Sequence, residues 1–164
     1  MSQTTFSDLV AVGNQIADAL RGQQASIAVS ESAAGGLINA ALVAVPGASD
    51  FYRGGMIVYT AAGRKILAGD EELPPGLKGA TEAFALVQAN RAKLLYRADW
   101  GIGETGATGP SGNPYGDPPG FGWLACSGGL NATLQIRTDN DDRTSNMHAF
   151  ALAALQLAVK TIKA

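Results

Sequence analysis

Val29-Ser30-Glu31-Ser32-Ala33-Ala34-Gly35-Gly36 follows a short apolar run and precedes a helical pattern. That order places Ser32 at the end of a strand, and Gly35 and Gly36 where a helix begins. A serine on such a turn is placed to act as a nucleophile. Free backbone N–H groups beside it hold an anion or an oxyanion. An ordinary helix cap is the other use of the same residue. A second glycine-rich segment, Thr105-Gly106-Ala107-Thr108-Gly109-Pro110-Ser111-Gly112, lies far along the chain. Two such loops in a small domain point to one site built from both.

Working outward, residues Phe6 to Arg21 carry Leu9, Val12, Ile16 and Leu20 at helical spacing, with Gly22 at the stop. Ser26 to Ser30 forms a short strand. Leu37 to Val45 forms a buried helix ended by Pro46-Gly47. Gly55 to Thr60 gives a second strand and Ala61 to Ala68 a short helix. A loop with Glu71-Glu72 and Pro74-Pro75-Gly76 leads to a long helix, Thr81 to Arg97, with Thr81 or Ala80 near its cap. Trp100 to Thr105 is a strand running into a long loop, Gly106 to Gly120, structureless by composition. Loops of that length in compact domains are usually functional or disordered. Phe121 to Ser127 and Leu130 to Thr138 make a hairpin around Gly128-Gly129. Asp139 to Arg143 is a charged turn before the final helix, Thr144 to Ile162, whose Leu152, Leu155 and Val159 have core spacing. The order α-β-α-β-α-α-β-β-β-α predicts an α/β fold. Helices cover a mostly parallel mixed sheet that includes an antiparallel hairpin.

The chain has 164 residues, 46% hydrophobic and 16% charged, which suits a single domain over 1–164 with a sizeable core. A formal net charge of −2 and no long basic run argue against a nucleic-acid surface. No segment reads as a membrane span, and the polar, uncharged start is not a signal peptide. The single cysteine, Cys126, leaves no intrachain disulfide, and a cytoplasmic location is expected. With His148 the only histidine, no metal site is expected. Asn131-Ala132-Thr133 fits a glycosylation acceptor only in a secreted chain.

Eight short motifs, in order, resemble the CinA C-terminal domain family, also called the nicotinamide-nucleotide amidase family. They are Ser30-Glu31-Ser32-Ala33-Ala34-Gly35-Gly36, Pro46-Gly47-Ala48-Ser49, Gly55-Met56-Ile57-Val58-Tyr59-Thr60 and Gly79-Ala80-Thr81-Glu82. Further on come Arg97-Ala98-Asp99, Thr105-Gly106-Ala107-Thr108-Gly109-Pro110, Gly120-Phe121-Gly122-Trp123 and Asp141-Asp142-Arg143. Together they cover nearly the whole chain. The resemblance implies a three-layer α/β/α sandwich. It also implies deamidation of a nicotinamide mononucleotide by a serine assisted by a lysine, with no cofactor and no metal. The expected partners are a small-molecule substrate of the pyridine mononucleotide kind and a second copy in a homo-oligomer, a dimer.

By this resemblance Ser32 is the nucleophile. The family lysine stands five residues after the strand tyrosine, and counting from Tyr59 gives Arg64, with Lys65 next to it. Arginine stays protonated and is a poor proton acceptor. On a helix Lys65 points about 100 degrees away from Arg64. Tyr59 or Lys65 would then move protons. Gly35, Gly36, Thr105, Gly106 and Gly109 would bind an oxyanion or phosphate, and Arg64 and Arg143 would offset substrate charge. Glu31 is either a cap or a site residue. Asn113 and Tyr115 either reach a ligand or merely shape a turn. Two other readings follow from the lost lysine and from Ala33-Ala34, which stand where the family has Cys-Thr. One is a pocket that binds a nucleotide or other small anion without turnover. The other is an enzyme for a different amide or lactam.

Overall fold

In the computed structural model, which describes residues 3–164, Thr5 and Asp8 start the first helix with a reciprocal pair of hydrogen bonds. The Asp8 carboxylate accepts the Thr5 N–H at 2.7 Å, and the Thr5 hydroxyl accepts the Asp8 N–H at 3.3 Å. The polar start at Met1 and Ser2 lies outside the described residues. This helix, α1 (Phe6–Gln23), buries Leu9, Val12, Ile16 and Leu20, the apolar stripe predicted for it. Gln24, not Gly22, takes the left-handed turn that ends it, at φ 53.

The elements that follow are β1 (Ile27–Glu31), α2 (Leu37–Val43), β2 (Tyr52–Ile57), α3 (Ala61–Ala68) and α4 (Glu82–Leu95). After them come β3 (Trp100–Ala107), β4 (Phe121–Ser127), β5 (Asn131–Arg137) and α5 (Arg143–Lys163). The sheet order is β2-β1-β3-β4-β5. β1 pairs with β2 and β3 in parallel, and β4 is antiparallel to both β3 and β5. Four of the five strands therefore run the same way, and β4 alone opposes them. All five residues of β1 are buried, as expected of a central strand covered on both faces.

α1, α2 and α5 cover one face. Leu9, Ile16, Leu20, Ile38, Leu42, Ile102, Leu124, Phe150 and Leu155 interlock there with little or no exposure. Each such side chain contributes about 1.5–3 kcal/mol through burial. α4 covers the other face with Phe84, Ala85 and Ala89, and α3 packs beside it. The approach of α4 to β3 is close because Gly101 and Gly103 have no side chain. A Cβ on Gly103 would lie 1.9 Å from the Ala85 carbonyl oxygen, and one on Gly101 would lie 2.0 Å from that of Ala89. The result is the α/β/α sandwich expected.

Element ends differ from expectation where pairing or a cap decides them. β2 begins at Tyr52 because the register with β1 starts at Ile27↔Tyr52, and it ends at Ile57 rather than Thr60. α4 stops at Leu95, and Arg97 beyond it has a positive φ of 49. β3 runs on to Ala107 because Gly106 and Ala107 pair with Gly122 and Phe121. The long loop is therefore shorter than its composition suggests. Asn113 organises its centre: its Oδ1 accepts the N–H groups of Tyr115 and Asp117, and its Nδ2 donates to Asp117.

Candidate active site

Parallel strands β1 and β3 lie side by side, and their onward connections run in opposite directions along the sheet, β1 leading to β2 and β3 to β4. α2 follows β1 on one face, and α4 precedes β3 on the other. Ligands of open α/β sheets gather beyond the carboxyl ends of strands at such a divergence. A cleft of about 300 Å³ opens there. Ser32 and Thr105 enter it from the two strand ends. Tyr59 and Arg64 come from the segment after β2. Gly79 and Ala80 come from the turn before α4, and Asn113 and Tyr115 from the long loop.

Thr105 fixes one wall, its hydroxyl accepting the Ala80 N–H at 3.0 Å. Arg64 forms another. The Thr60 side chain caps α3 by accepting the Gly63 N–H, which sets the rotation of the helix. Arg64 then turns inward. Its guanidinium lies 4.3 Å from the centre of the Phe84 ring and donates through Nη1 to the Leu77 carbonyl at 2.9 Å. The cleft so gains a fixed positive charge backed by an aromatic face. Lys65, one residue on, is exposed and lines a shallow surface with Glu71 and Glu72 instead. The structure brings Arg64, and not Lys65, to the cleft that holds Ser32.

Tyr59 is 61% exposed, and its phenol oxygen accepts a hydrogen bond from Arg143 Nη2 at 2.7 Å. Arg143 also donates to the Gly109 carbonyl. Arg143 and Gly109 therefore sit at the rim, where they tie Tyr59 to the long loop. Gly109 offers a carbonyl to this contact rather than an N–H.

The turn after Ser32 is built differently from the sequence-based expectation. Gly35 and Gly36 take the positive φ values of 68 and 105 that the turn requires. The Gly35 N–H, however, donates to the Ser32 carbonyl at 3.1 Å. Glu31 is fully buried beneath the start of α2. It accepts the Asn39 N–H at 2.9 Å, the Asn39 side-chain amide at 2.6 Å and the Ile38 N–H at 3.2 Å. Burial raises its pKa, and those hydrogen bonds oppose the rise. Glu31, Gly35 and Gly36 are thus absent from the cleft lining, because a protein carboxylate already fills the anion position at the helix start.

A second buried carboxylate, Glu104 of β3, joins the site and is not among the residues that motif and spacing mark out. Its Oε2 accepts the N–H groups of Ser32 and Ala34 at 2.9 Å each, and its Oε1 has no partner among the described residues. Burial is the main cause lifting its pKa to about 7. The backbone donors Ala34 and Ser32 pull it down, and the neighbouring Glu31 charge pushes it up. The signal in the sequence was an ionisable residue inside a run that reads as a buried strand.

Gln88 of α4 braces both strand ends from the opposite face. It accepts the Ser30 hydroxyl at 2.9 Å and donates to the Glu104 carbonyl at 2.7 Å. His148 lies apart on α5 with Nδ1 against the Thr144 carbonyl, and Cys126 is a core thiol that burial pushes up to about 12. Among the described residues no cluster of three metal-ligating side chains occurs, and no helix is long and apolar enough to cross a membrane. A larger hollow of about 490 Å³ lies between β5 and α5, lined by side chains such as Leu130, Leu134 and Leu157. Its lining holds no acid–base pair.

The family model of the CinA C-terminal domain matches residues 10–162. A CinA-like protein of Salinibacter ruber is 34% identical over 148 residues, 90% of this chain and 36% of that protein. A second, from Acidobacterium capsulatum, is 35% identical over 134 residues, 81% of this chain and 32% of that protein. The chain spans about a third of the length of these curated relatives. Among solved structures, the competence/damage inducible protein CihA from Agrobacterium tumefaciens superposes with a TM-score of 0.86 at 25% identity, covering 100% of both chains. A competence-damaged protein superfamily structure from Klebsiella pneumoniae gives a TM-score of 0.86 at 22% identity, over 94% of this chain and 98% of that one. It supports the fold alone.

Proposed function

This chain belongs to the CinA C-terminal domain family, and on that premise we propose that its cleft hydrolyses a small carboxamide, a pyridine mononucleotide amide being the first substrate to test. The observation that carries this reading is the convergence of Ser32, Tyr59 and Arg64 on one cleft at the strand ends. The Ser32 hydroxyl attacks the amide carbon. The Arg64 guanidinium, held by Leu77 and Phe84, faces the oxyanion that develops. The N–H groups of the Ser32 turn are not free for that task, because Glu104 accepts those of Ser32 and Ala34. Tyr59, steadied by Arg143, supplies a proton to the departing nitrogen. The measurement is ammonia release from nicotinamide mononucleotide and a panel of small amides. Ser32→Ala abolishes release, and a variant that keeps full release overturns the mechanism.

A second reading, binding of a small anion without turnover, is favoured by one observation. The cation in the cleft is Arg64, which remains protonated and accepts no proton. On this reading the carboxylate form of a ligand binds more tightly than its amide, and no ammonia appears over hours. Calorimetry with the paired acid and amide separates the two readings. Activity created by Arg64→Lys would mark the cleft as a decayed active site.

A further inference from the structure

Ser32 needs a proton acceptor, and Arg64 cannot be one. Resting on the reading of Ser32 as a nucleophile, we propose that Glu104 is that acceptor, reached when the Ser32 hydroxyl proton turns onto the carboxylate that already takes the Ser32 N–H.

The geometry is local. Glu104 Oε2 lies 2.9 Å from the Ser32 backbone nitrogen. A serine hydroxyl has three staggered positions about Cα–Cβ. Two of them stand gauche to the backbone nitrogen, and from such a position Oγ can share the acceptor that its own N–H uses. The same chain shows this arrangement twice. Ser26 donates both its N–H (2.8 Å) and its hydroxyl (2.9 Å) to one oxygen of Asp99. Thr5 donates both groups to one oxygen of Asp8, at 2.7 and 2.8 Å. Ser32 and Glu104 have the first half of that pattern in place. The free Oε1, buried and without a partner, supplies the remaining acceptor capacity.

The surroundings suit a base that works near neutrality. Glu104 is fully buried, and Glu31 on β1 is the charged neighbour that bears on it. Opposite it on β4 stands Leu124, and α2 carries no ionisable residue. On α5, Arg143 is engaged with Gly109 and Tyr59, and His148 with Thr144. Among the described residues no cation therefore holds Glu104 permanently ionised, and its pKa of about 7 leaves it able both to take and to return a proton.

The steps balance. As the Ser32 oxygen–carbon bond forms, the hydroxyl proton passes to Glu104. As the carbon–nitrogen bond breaks, Tyr59 gives its proton to the leaving nitrogen and ammonia departs. Water then attacks the acyl-serine and loses a proton to the Tyr59 phenolate. Ser32 Oγ leaves carbon and takes its proton back from Glu104. The sum is amide plus water to acid plus ammonia.

The test reads Ser32 directly, by mass-spectrometric labelling with a fluorophosphonate across pH 5 to 9. Wild-type Ser32 labels at a rate that rises with pH through a midpoint near 7. In Glu104→Gln the amide oxygen still accepts both N–H groups, so the turn keeps its support. Labelling there slows by about 10²-fold or more and loses the midpoint. Glu104→Asp, which keeps a carboxylate, restores part of the rate. Equal rates and midpoints in wild type and Glu104→Gln overturn the proposal, as does a wild-type Ser32 that never labels. Glu104-dependent labelling with no ammonia from any amide overturns the amidohydrolase reading while leaving the role of Glu104 standing.

Discussion

Glu104→Gln also carries a stability prediction whose size follows from the burial of the carboxylate. In the unfolded chain Glu104 titrates near its ordinary 4.5, and in the fold near 7. Below pH 4.5 both states hold the proton. Between 4.5 and 7 the folded state holds it and the unfolded state has lost it. Above 7 both are ionised, and the fold carries a buried charge with no cation beside it. Folding stability is therefore highest on the acid side of this window and falls as pH rises through it. A separation of about 2.5 units corresponds to about 3 kcal/mol. For a domain of this size that is roughly 6–12 °C in Tm. Asp8 and Asp142 have lowered pKa values and titrate below the window, whereas Glu31 is raised and adds to the same slope in both proteins. The variant must be read as a difference. Urea unfolding at pH 5 and pH 8 should show the wild type losing about 2.5 kcal/mol more than Glu104→Gln between the two, since at pH 5 part of the window has already been crossed. Parallel curves for the two proteins would refute the assignment of a raised, titrating carboxyl to Glu104.

Three further outcomes follow from the geometry. Gly103→Ala places a methyl 1.9 Å from a backbone carbonyl of α4 and should lower stability by at least about 3 kcal/mol, read as Tm. Phe84→Ala removes a buried ring from the small cluster with Val58 and Leu67, and with it the support under Arg64. A loss of about 3–5 kcal/mol is expected by chemical denaturation, with weakened binding of an anionic ligand by calorimetry. Gln88→Leu leaves the Ser30 hydroxyl and the Glu104 carbonyl without partners in the core and should cost about 1–3 kcal/mol for each, again by denaturant titration.

Much of the fold was legible in local pattern. The stripe Leu9, Val12, Ile16, Leu20 has the helical period and is the face α1 buries. Thr81 marks the start of α4 by its own chemistry, whereas Thr60, which the pattern puts at the end of a strand, caps α3 in the fold. Strand limits were less legible, since the start of β2 at Tyr52 and the end of β3 at Ala107 depend on partners distant in sequence. For the site, the family resemblance singled out Ser32 and Arg64, and both reach the cleft. Spacing alone could not show that the N–H groups beside Ser32 were already engaged.

The sequence by itself determined the order of elements, the apolar faces that make a layered sandwich, and the serine turn between β1 and α2. These depend on residues within a few positions of one another, where period, caps and glycine act. The tertiary structure alone decided which groups meet that serine. Glu104 is 72 positions from Ser32 and reaches it only because β1 and β3 pair in parallel. Arg64 rather than Lys65 turns into the cleft because α3 is rotated so that one of two adjacent side chains lies over Phe84. Contact between distant residues follows from strand pairing and helix rotation, and neither is written at any single position of the chain.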